Sequence, residues 1–343
     1  MSAPSVKPPI RLRGRISMRS VIVTLILVVL ALVVGVIALG LGDYSVAPAR
    51  VVAALTGGGN RFEHLVVVEW RLPRVLMALL LGAALGAAGA IFQSITRNPL
   101  GSPDIIGFNS GAYTGALVVI LVAGQVGYVS RAVGALVGGI VCALVVYLLA
   151  FRRGVRGFRF IIVGISVSAM LEAVNAWLIQ KADLSQAMSV ATWGAGSLNG
   201  VTWSQAGPAA VVICVLVPFV LVAGRRLELL DLGDDVASAL GVRVESTRLA
   251  LIVLGIALIA VPAAVAGPIA FVSLAAPHLA RRLVRGSGAM LLPAAAMGAL
   301  LLVLADTVGQ HAFGDKQLPV GVVTVSIGGA YLLWLLAWEG RRM

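Results

Sequence analysis

Residues 75–104, VLMALLLGAALGAAGAIFQSITRNPLGSPD, carry the pattern that decides the fold. Val75–Ile95 holds no charged residue. At about 1.5 Å per residue it is long enough, as a helix, to cross a hydrocarbon core of about 30 Å. A polar break with Arg97, Asn98, two prolines and Asp104 follows at once. The same alternation recurs in both directions along the 343 residues. The other apolar stretches are Val21–Leu41, Ile105–Ala123, Val133–Phe151, Phe160–Ile179, Pro208–Ala223, Leu249–Val265, Ile269–Val284, Met290–Val308 and Val320–Trp338. The fold expected is an all-α polytopic membrane protein with ten transmembrane helices. Residues 1–20 form a basic N-terminal segment, and residues 21–343 form a single transmembrane domain.

Composition agrees. Hydrophobic residues make up 60% of the chain and charged residues 12%, about half the charge of a soluble domain. A net charge of +12 would point to nucleic acid in a soluble protein. Here the basic residues sit at span ends, which is the positive-inside pattern, and no nucleic-acid partner is expected. They concentrate in the N-terminal segment, at Arg97, and in Arg152–Arg159, Arg225–Arg248, Arg281–Arg285 and Arg341–Arg342. All fall on one side if both termini are cytoplasmic, which requires an even number of spans. The first span exceeds the apolar core of a signal peptide and no small-residue cleavage site ends it, so it reads as a membrane helix. Cys142 and Cys214 lie inside apolar runs and read as buried structural thiols without a disulfide.

Glycines recur at one-turn spacing: Gly82 and Gly86; Gly107, Gly111 and Gly115; Gly134 and Gly138. Such faces let helix backbones approach closely. Close packing is the plain reading, and faces that slide during transport the sharper one. In Phe160–Ile179, Gly164, Ser168, Glu172 and Asn175 share a face by 3–4 residue spacing. A mid-membrane carboxylate costs about 2.5–3.5 kcal/mol on insertion scales. A protonated Glu172 bonded to a neighbouring helix is one reading, and Ser168, Glu172 and Asn175 lining a pathway is the other.

PARVVAAL, Pro48–Leu55, reads as a short helix at the interface with proline in its first turn. Trp193 and Trp203 read as interface-belt residues. In GRRLELLDLGDDVASALGVRVESTR, residues 224–248, two short helices are expected. One covers Leu227–Leu232. The other starts at the acidic pair Asp234 and Asp235 and stops near Gly241. Their apolar teeth suit either a groove on a cytoplasmic partner or the membrane surface. No phosphate-binding GxxxxGK[ST] loop, HExxH or GxSxG occurs, so the chain is not expected to be an enzyme or to bind ATP itself. His64, His278 and His311 show no ligand spacing, and no metal or cofactor site is expected.

Four stretches together resemble one family: residues 69–112, LLDLGDDVASALGV (residues 229–242), AGPIAFVSLAAPHLARR (residues 266–282) and QLPVGVVTVSIGGAYLLWLL (residues 317–336). The chain resembles the permease subunits of bacterial ABC importers for iron–siderophores, haem and vitamin B12. WGAGSLNGVTW (residues 193–203) and LGDDVASALGV are most similar to the permeases that serve ferric enterobactin. The resemblance implies ten helices with cytoplasmic termini, as in the vitamin B12 permease. It implies the bacterial inner membrane and a catecholate ferric siderophore as cargo, with haem or vitamin B12 as alternatives. Its implied partners are a sister permease (a heterodimer rather than a homodimer), two ATPases that bind the ATP and Mg, and an extracytoplasmic siderophore-binding protein.

By the same resemblance, ATPase coupling falls to Leu227, Leu230, Gly233, Asp234, Asp235, Leu240 and Gly241. Docking of the binding protein falls to Arg71 and Arg74. A further arginine of the vitamin B12 relative corresponds to Gln310, with Lys316 nearby as a substitute. Asn98, Pro99 and Leu100 match one inner gate loop, and Arg152 and Arg153 lie in a second. An ion-coupled secondary transporter is the main rival class, but Phe160–Ile179 offers one acid and no midplane basic partner.

Overall fold

A computed structural model describes residues 17–104, 107–121, 127–150, 157–285, 290–312 and 317–339. Its elements are helices: α1 (Met18–Gly40), α2 (Pro48–Leu55), α3 (Arg61–His64), α4 (Leu72–Thr96), α5 (Phe108–Leu121), α6 (Tyr128–Ala150), α7 (Gly157–Lys181), α8 (Leu184–Gly194), α9 (Trp203–Asp231), α10 (Asp234–Ala239), α11 (Val244–Ala266), α12 (Val272–Val284), α13 (Leu291–His311) and α14 (Val320–Glu339). Each of the ten apolar stretches overlaps one of them among the described residues. Seven segments among the described residues are long and apolar enough to cross a membrane: α1, residues 61–96, α6, α7, α9, α11 and α13. The shorter α5 (14 residues) and α12 (13 residues) are not among them.

Helix α4 is the axis of the molecule, packing against α13, α11, α12 and α9. Its glycines explain how. A Cβ on Gly82 would lie 2.4 Å from the Gly298 carbonyl oxygen, and one on Gly86 would lie 2.1 Å from that of Ala294. The same logic joins α5 to α6, where Gly111 and Gly115 face Gly138 and Gly134. Backbones this close gain dispersion contacts that larger residues would forbid. The close-packing reading of these stripes therefore accounts for their geometry. Gly107 departs from its stripe: it precedes α5 at φ 86° and abuts Ser168 of α7.

Residues 65–71 form a π-helical stretch leading into α4. The Leu72 N–H reaches Val67 O, five residues back. Pro73 follows in the first turn of α4, where its missing N–H costs nothing.

Two expectations need correction here. Ile269–Val284 is not helical throughout, because α12 begins only at Val272 after an extended segment. Gly267 (φ 75°) ends α11, and Phe271 takes a left-handed conformation at φ 70°. The Ala266 carbonyl freed at the end of α11 finds a partner inside the protein, and the 193–203 segment that supplies it is tied in turn to the start of α14. Ser197 N–H donates to Ala266 O at 2.7 Å, and Gly321 N–H donates to Gly196 O at 3.0 Å. The tryptophans expected at the interface belt also have partners within the chain. Trp193 stacks on Tyr113 with centroids 6.3 Å apart, and Trp203 Nε1 donates to Val68 O at 2.9 Å. Of the cysteines, Cys142 is buried and Cys214 is exposed on α9, against the expectation that both are buried.

Candidate functional site

The segment 227–241 differs from the two short helices expected. Nothing between Ala223 and Leu232 breaks a helix, so Leu227–Asp231 is the last part of α9, a continuous 29-residue helix. Leu227 and Leu230 are buried in the main core, not exposed as teeth. Gly233, at φ 107°, makes the corner, and α10 follows. Gly241, at φ 84°, lies beyond its end. The residues that protrude are Leu232, Val236 and Leu240, all exposed, while Ala237 faces inward. Sequence reasoning missed Leu232 and Val236; the four-residue spacing from Leu232 to Leu240 was the available signal.

Asp235 is exposed beside this ridge. Asp234 turns the other way and joins two arginines. Arg97 Nη2 donates to its Oδ1 at 2.8 Å. Arg248 Nη2 donates to both its oxygens, at 3.0 and 3.2 Å, and Arg248 Nη1 also donates to Glu245 at 3.1 Å. Three residues before Asp234, the Asp231 carboxylate accepts from Ser94 Oγ on α4. On the α12 side, Arg281 Nη2 donates to Gln93 Oε1 at 3.4 Å, and Gln93 Nε2 donates to Leu274 O at 3.0 Å.

The loop after α4 leaves from the same place. Arg97 caps α4 in a left-handed conformation at φ 49°. Asn98 Oδ1 accepts from Leu100 N–H at 2.9 Å, and Asn98 O accepts from Gly101 N–H at 2.8 Å. This tight turn presents Pro99 and Leu100 to a small cavity lined by Phe271, Leu274, His278 and Tyr331. The loop ends at Asp104. Asp104 Oδ2 accepts from Ser273 Oγ at 2.8 Å, and its Oδ1 accepts from Asn109 Nδ2 at 2.6 Å. The Arg97–Asp104 loop is thus fastened at both ends. Arg152 and Arg153, expected in the second gate loop, lie outside the described residues.

Burial pushes the Asp104 carboxyl up to about 6, the desolvation outweighing the stabilising donors Ser273 and Phe271 N–H. The folded chain then holds a proton that the unfolded chain releases, so stability falls as pH rises from about 4 to about 6. The expected loss is at most on the order of 3 kcal/mol. Thermal unfolding of the detergent-solubilised protein across that window measures it, and Asp104→Asn should flatten the profile. An equally steep profile in that variant would assign the pH dependence to another group.

At the opposite end of α4, both arginines expected at a docking surface have internal partners. Arg71 Nη1 donates to Leu39 O at 2.9 Å, and Nη2 donates to Tyr44 O at 2.7 Å. Arg74 makes a two-pronged pair with Asp306, Nε to Oδ2 at 2.9 Å and Nη2 to Oδ1 at 2.8 Å. Gln310 Nε2 donates to Asp306 Oδ2 at 2.7 Å and completes the cluster. Lys316 lies outside the described residues.

The polar face read along α7 divides. Ser168 is half-buried and donates to Gly164 O at 2.8 Å. Asn175 is 3% exposed, and neither its Oδ1 nor its Nδ2 has a partner among the described residues. Glu172 is exposed, away from the other helices of the chain. Among the described residues, no three His, Cys, Asp or Glu side chains gather as a metal site.

The FecCD transport family model matches residues 27–338. The chain is 50% identical to the ferric enterobactin transport system permease protein FepG of Escherichia coli (strain K12), over 95% of this chain and 99% of that one. It is 35% identical to the Fe(3+)-citrate import system permease protein YfmE of Bacillus subtilis (strain 168), over 94% and 97% of the two chains. Among solved structures, it is similar to a metal-chelate type ABC transporter in an inward-facing conformation. There the TM-score is 0.81 at 29% identity, covering 92% of this chain and 99% of the other.

Proposed function

The chain belongs to the FecCD transport family, and from that premise we propose that it is the permease subunit of an ABC importer carrying ferric enterobactin or a similar catecholate siderophore across the bacterial inner membrane. The observation that carries this reading is the end-to-end likeness to a ferric enterobactin permease protein. All ten apolar helices span the bilayer, with both termini cytoplasmic, which puts the α10 end inside and the α2 end outside. The chain forms a single transmembrane domain. It holds no cofactor and has no ATPase site; ATP and Mg bind to partner ATPases.

The exposed Leu232, Val236 and Leu240 seat in the ATPase, and Asp234 holds that corner to the permease from within. Asn98, Pro99 and Leu100 form the inner gate, closed by their contact with α12 and α14, and Arg152 and Arg153 belong to the second gate loop. A sister permease, in a heterodimer, covers α7, so that Ser168, Glu172 and Asn175 lie at the pathway between the two. Glu172 supports this placement, because a carboxylate exposed on an apolar helix needs water or protein beside it rather than lipid. The binding protein docks at the α2 end near Arg71, Arg74 and Lys316. ATP acting on two states of the permease supplies the differential free energy that any such shift requires.

Vesicles test the reading. With sister permease, ATPase and binding protein reconstituted, ferric enterobactin should accumulate only when ATP is present on the ATPase side. This chain alone should accumulate none. Concentrative uptake by the chain alone, driven by an ion gradient, would replace this reading with a secondary transporter.

A further inference from the structure

We infer that Ser94 and Arg97, on the last turn of α4, are positioning residues that make α4 and the loop after it move as one body with the α9–α10 corner. This rests on the reading of α10 as the helix that meets the ATPase. Two ties join the parts. Ser94 Oγ bonds to Asp231, and Arg97 Nη2 bonds to Asp234 at 2.8 Å. Residues three apart on α4 meet residues three apart on the corner, with the same offset of 137 in both pairs.

The matched register matters mechanically. One exposed ion pair is weak and lets its partners swivel. Two ties about one helical turn apart fix an orientation as well as a distance. Arg97 is aimed by its left-handed cap conformation, which turns the chain out of α4 at that point. Asp234 is itself clasped by Arg248 from α11, so the corner cannot turn freely about the Arg97 contact.

Motion delivered to Arg97 has little slack to vanish into. The next residues are locked in the Asn98 turn. The far end of the loop is held by Asp104 on Ser273. Displacing Arg97 therefore moves Pro99 and Leu100 against Phe271, Leu274, His278 and Tyr331. Gln93, one residue before Ser94, carries the same link to α12 through Leu274 O and Arg281.

The test uses the full complex in vesicles and reads siderophore taken up per ATP hydrolysed. The parent carries Cys214→Ala, since Cys214 is exposed, while the buried Cys142 stays. Into it go Arg97→Gln, Ser94→Cys and Asp231→Cys, which remove both ties and place a thiol pair where one of them was. Reduced, this variant should hydrolyse ATP within about twofold of the parent and transport about tenfold less per ATP. Oxidised to the cross-link, it should return to within about twofold of the parent, because a covalent tie replaces the lost contact. Arg97→Lys alone, keeping the charge, should leave the ratio near the parent value. Recovery on oxidation is what a merely structural role would not produce. An unchanged ratio in the reduced variant, or transport abolished by the cross-link, would overturn the inference. A parent complex without ATP-driven uptake would overturn the importer reading and this inference with it.

Discussion

Asp306→Ala should cost about 3–5 kcal/mol of stability, because it leaves the Arg74 guanidinium buried without its counter-ion. The side chains of the pair are only 14% and 3% exposed. Asp306 is the acceptor for Arg74 and for Gln310, so its removal strands donors on two helices, α4 and α13. Thermal unfolding in detergent reads the effect. Arg74→Met combined with Asp306→Leu should recover most of the loss, since apolar residues of similar volume often replace a buried pair at little cost. A loss under about 1 kcal/mol in Asp306→Ala would mean that water reaches the pair and that it behaves as a surface contact. The same geometry bears on docking. Arg74 can meet a carboxylate of a binding protein only by sharing or leaving Asp306.

Gly89→Ala should have an effect of similar or greater size. The added methyl would sit 1.7 Å from the carbonyl oxygen of Ser273, and 2.6 Å from its carbonyl carbon. No rotamer relieves a clash between a Cβ and backbone, so α4 and the start of α12 must separate. Overpacking by a methylene in a well-packed core costs about 1–3 kcal/mol, and backbone displacement adds to that. Separation also pulls Ser273 from Asp104 and Leu274 O from Gln93, the contacts that hold the Arg97–Asp104 loop and the end of α4. The variant should express poorly or melt well below the parent. Gly207→Ala is the matched control, with open space at its Cβ position. A parent-like melting temperature for Gly89→Ala would show that the two elements sit farther apart than described.

How much was legible depended on distance along the chain. Pro48–Leu55 was readable as a helix because proline at the first turn and a short apolar run are local signals, and α2 has those bounds. The stop near Gly241 was readable for the same reason. The glycine stripes announced close packing but not their partners. Gly82 meets Gly298 on α13, over two hundred residues away, and no spacing rule reaches that far. Leu227 and Leu230 were misread as exposed teeth because an apolar residue near a charge fits either a docking face or the last turn of a long buried helix. Only the neighbours of α9 decide which.

The face on α7 teaches the same lesson more finely. Ser168, Glu172 and Asn175 do share a side of the helix. That side straddles the line where packed protein gives way to open surface, so Asn175 is buried and Glu172 is not. Helical periodicity gives angles about an axis; it does not say where the neighbouring helices end.

The amino-acid order alone determined that this chain is helical and lives in lipid. Uncharged runs must hide their backbone polar groups in helices where no water can bind them. Tertiary structure alone decided which charges are free to act. Arg74 with Asp306, Arg97 with Asp234 and Asp104 with Ser273 are 232, 137 and 169 residues apart in the chain. Whether an arginine docks a partner or holds its own fold depends on what folding brings within 3 Å of it, and only the packing of the helices sets that.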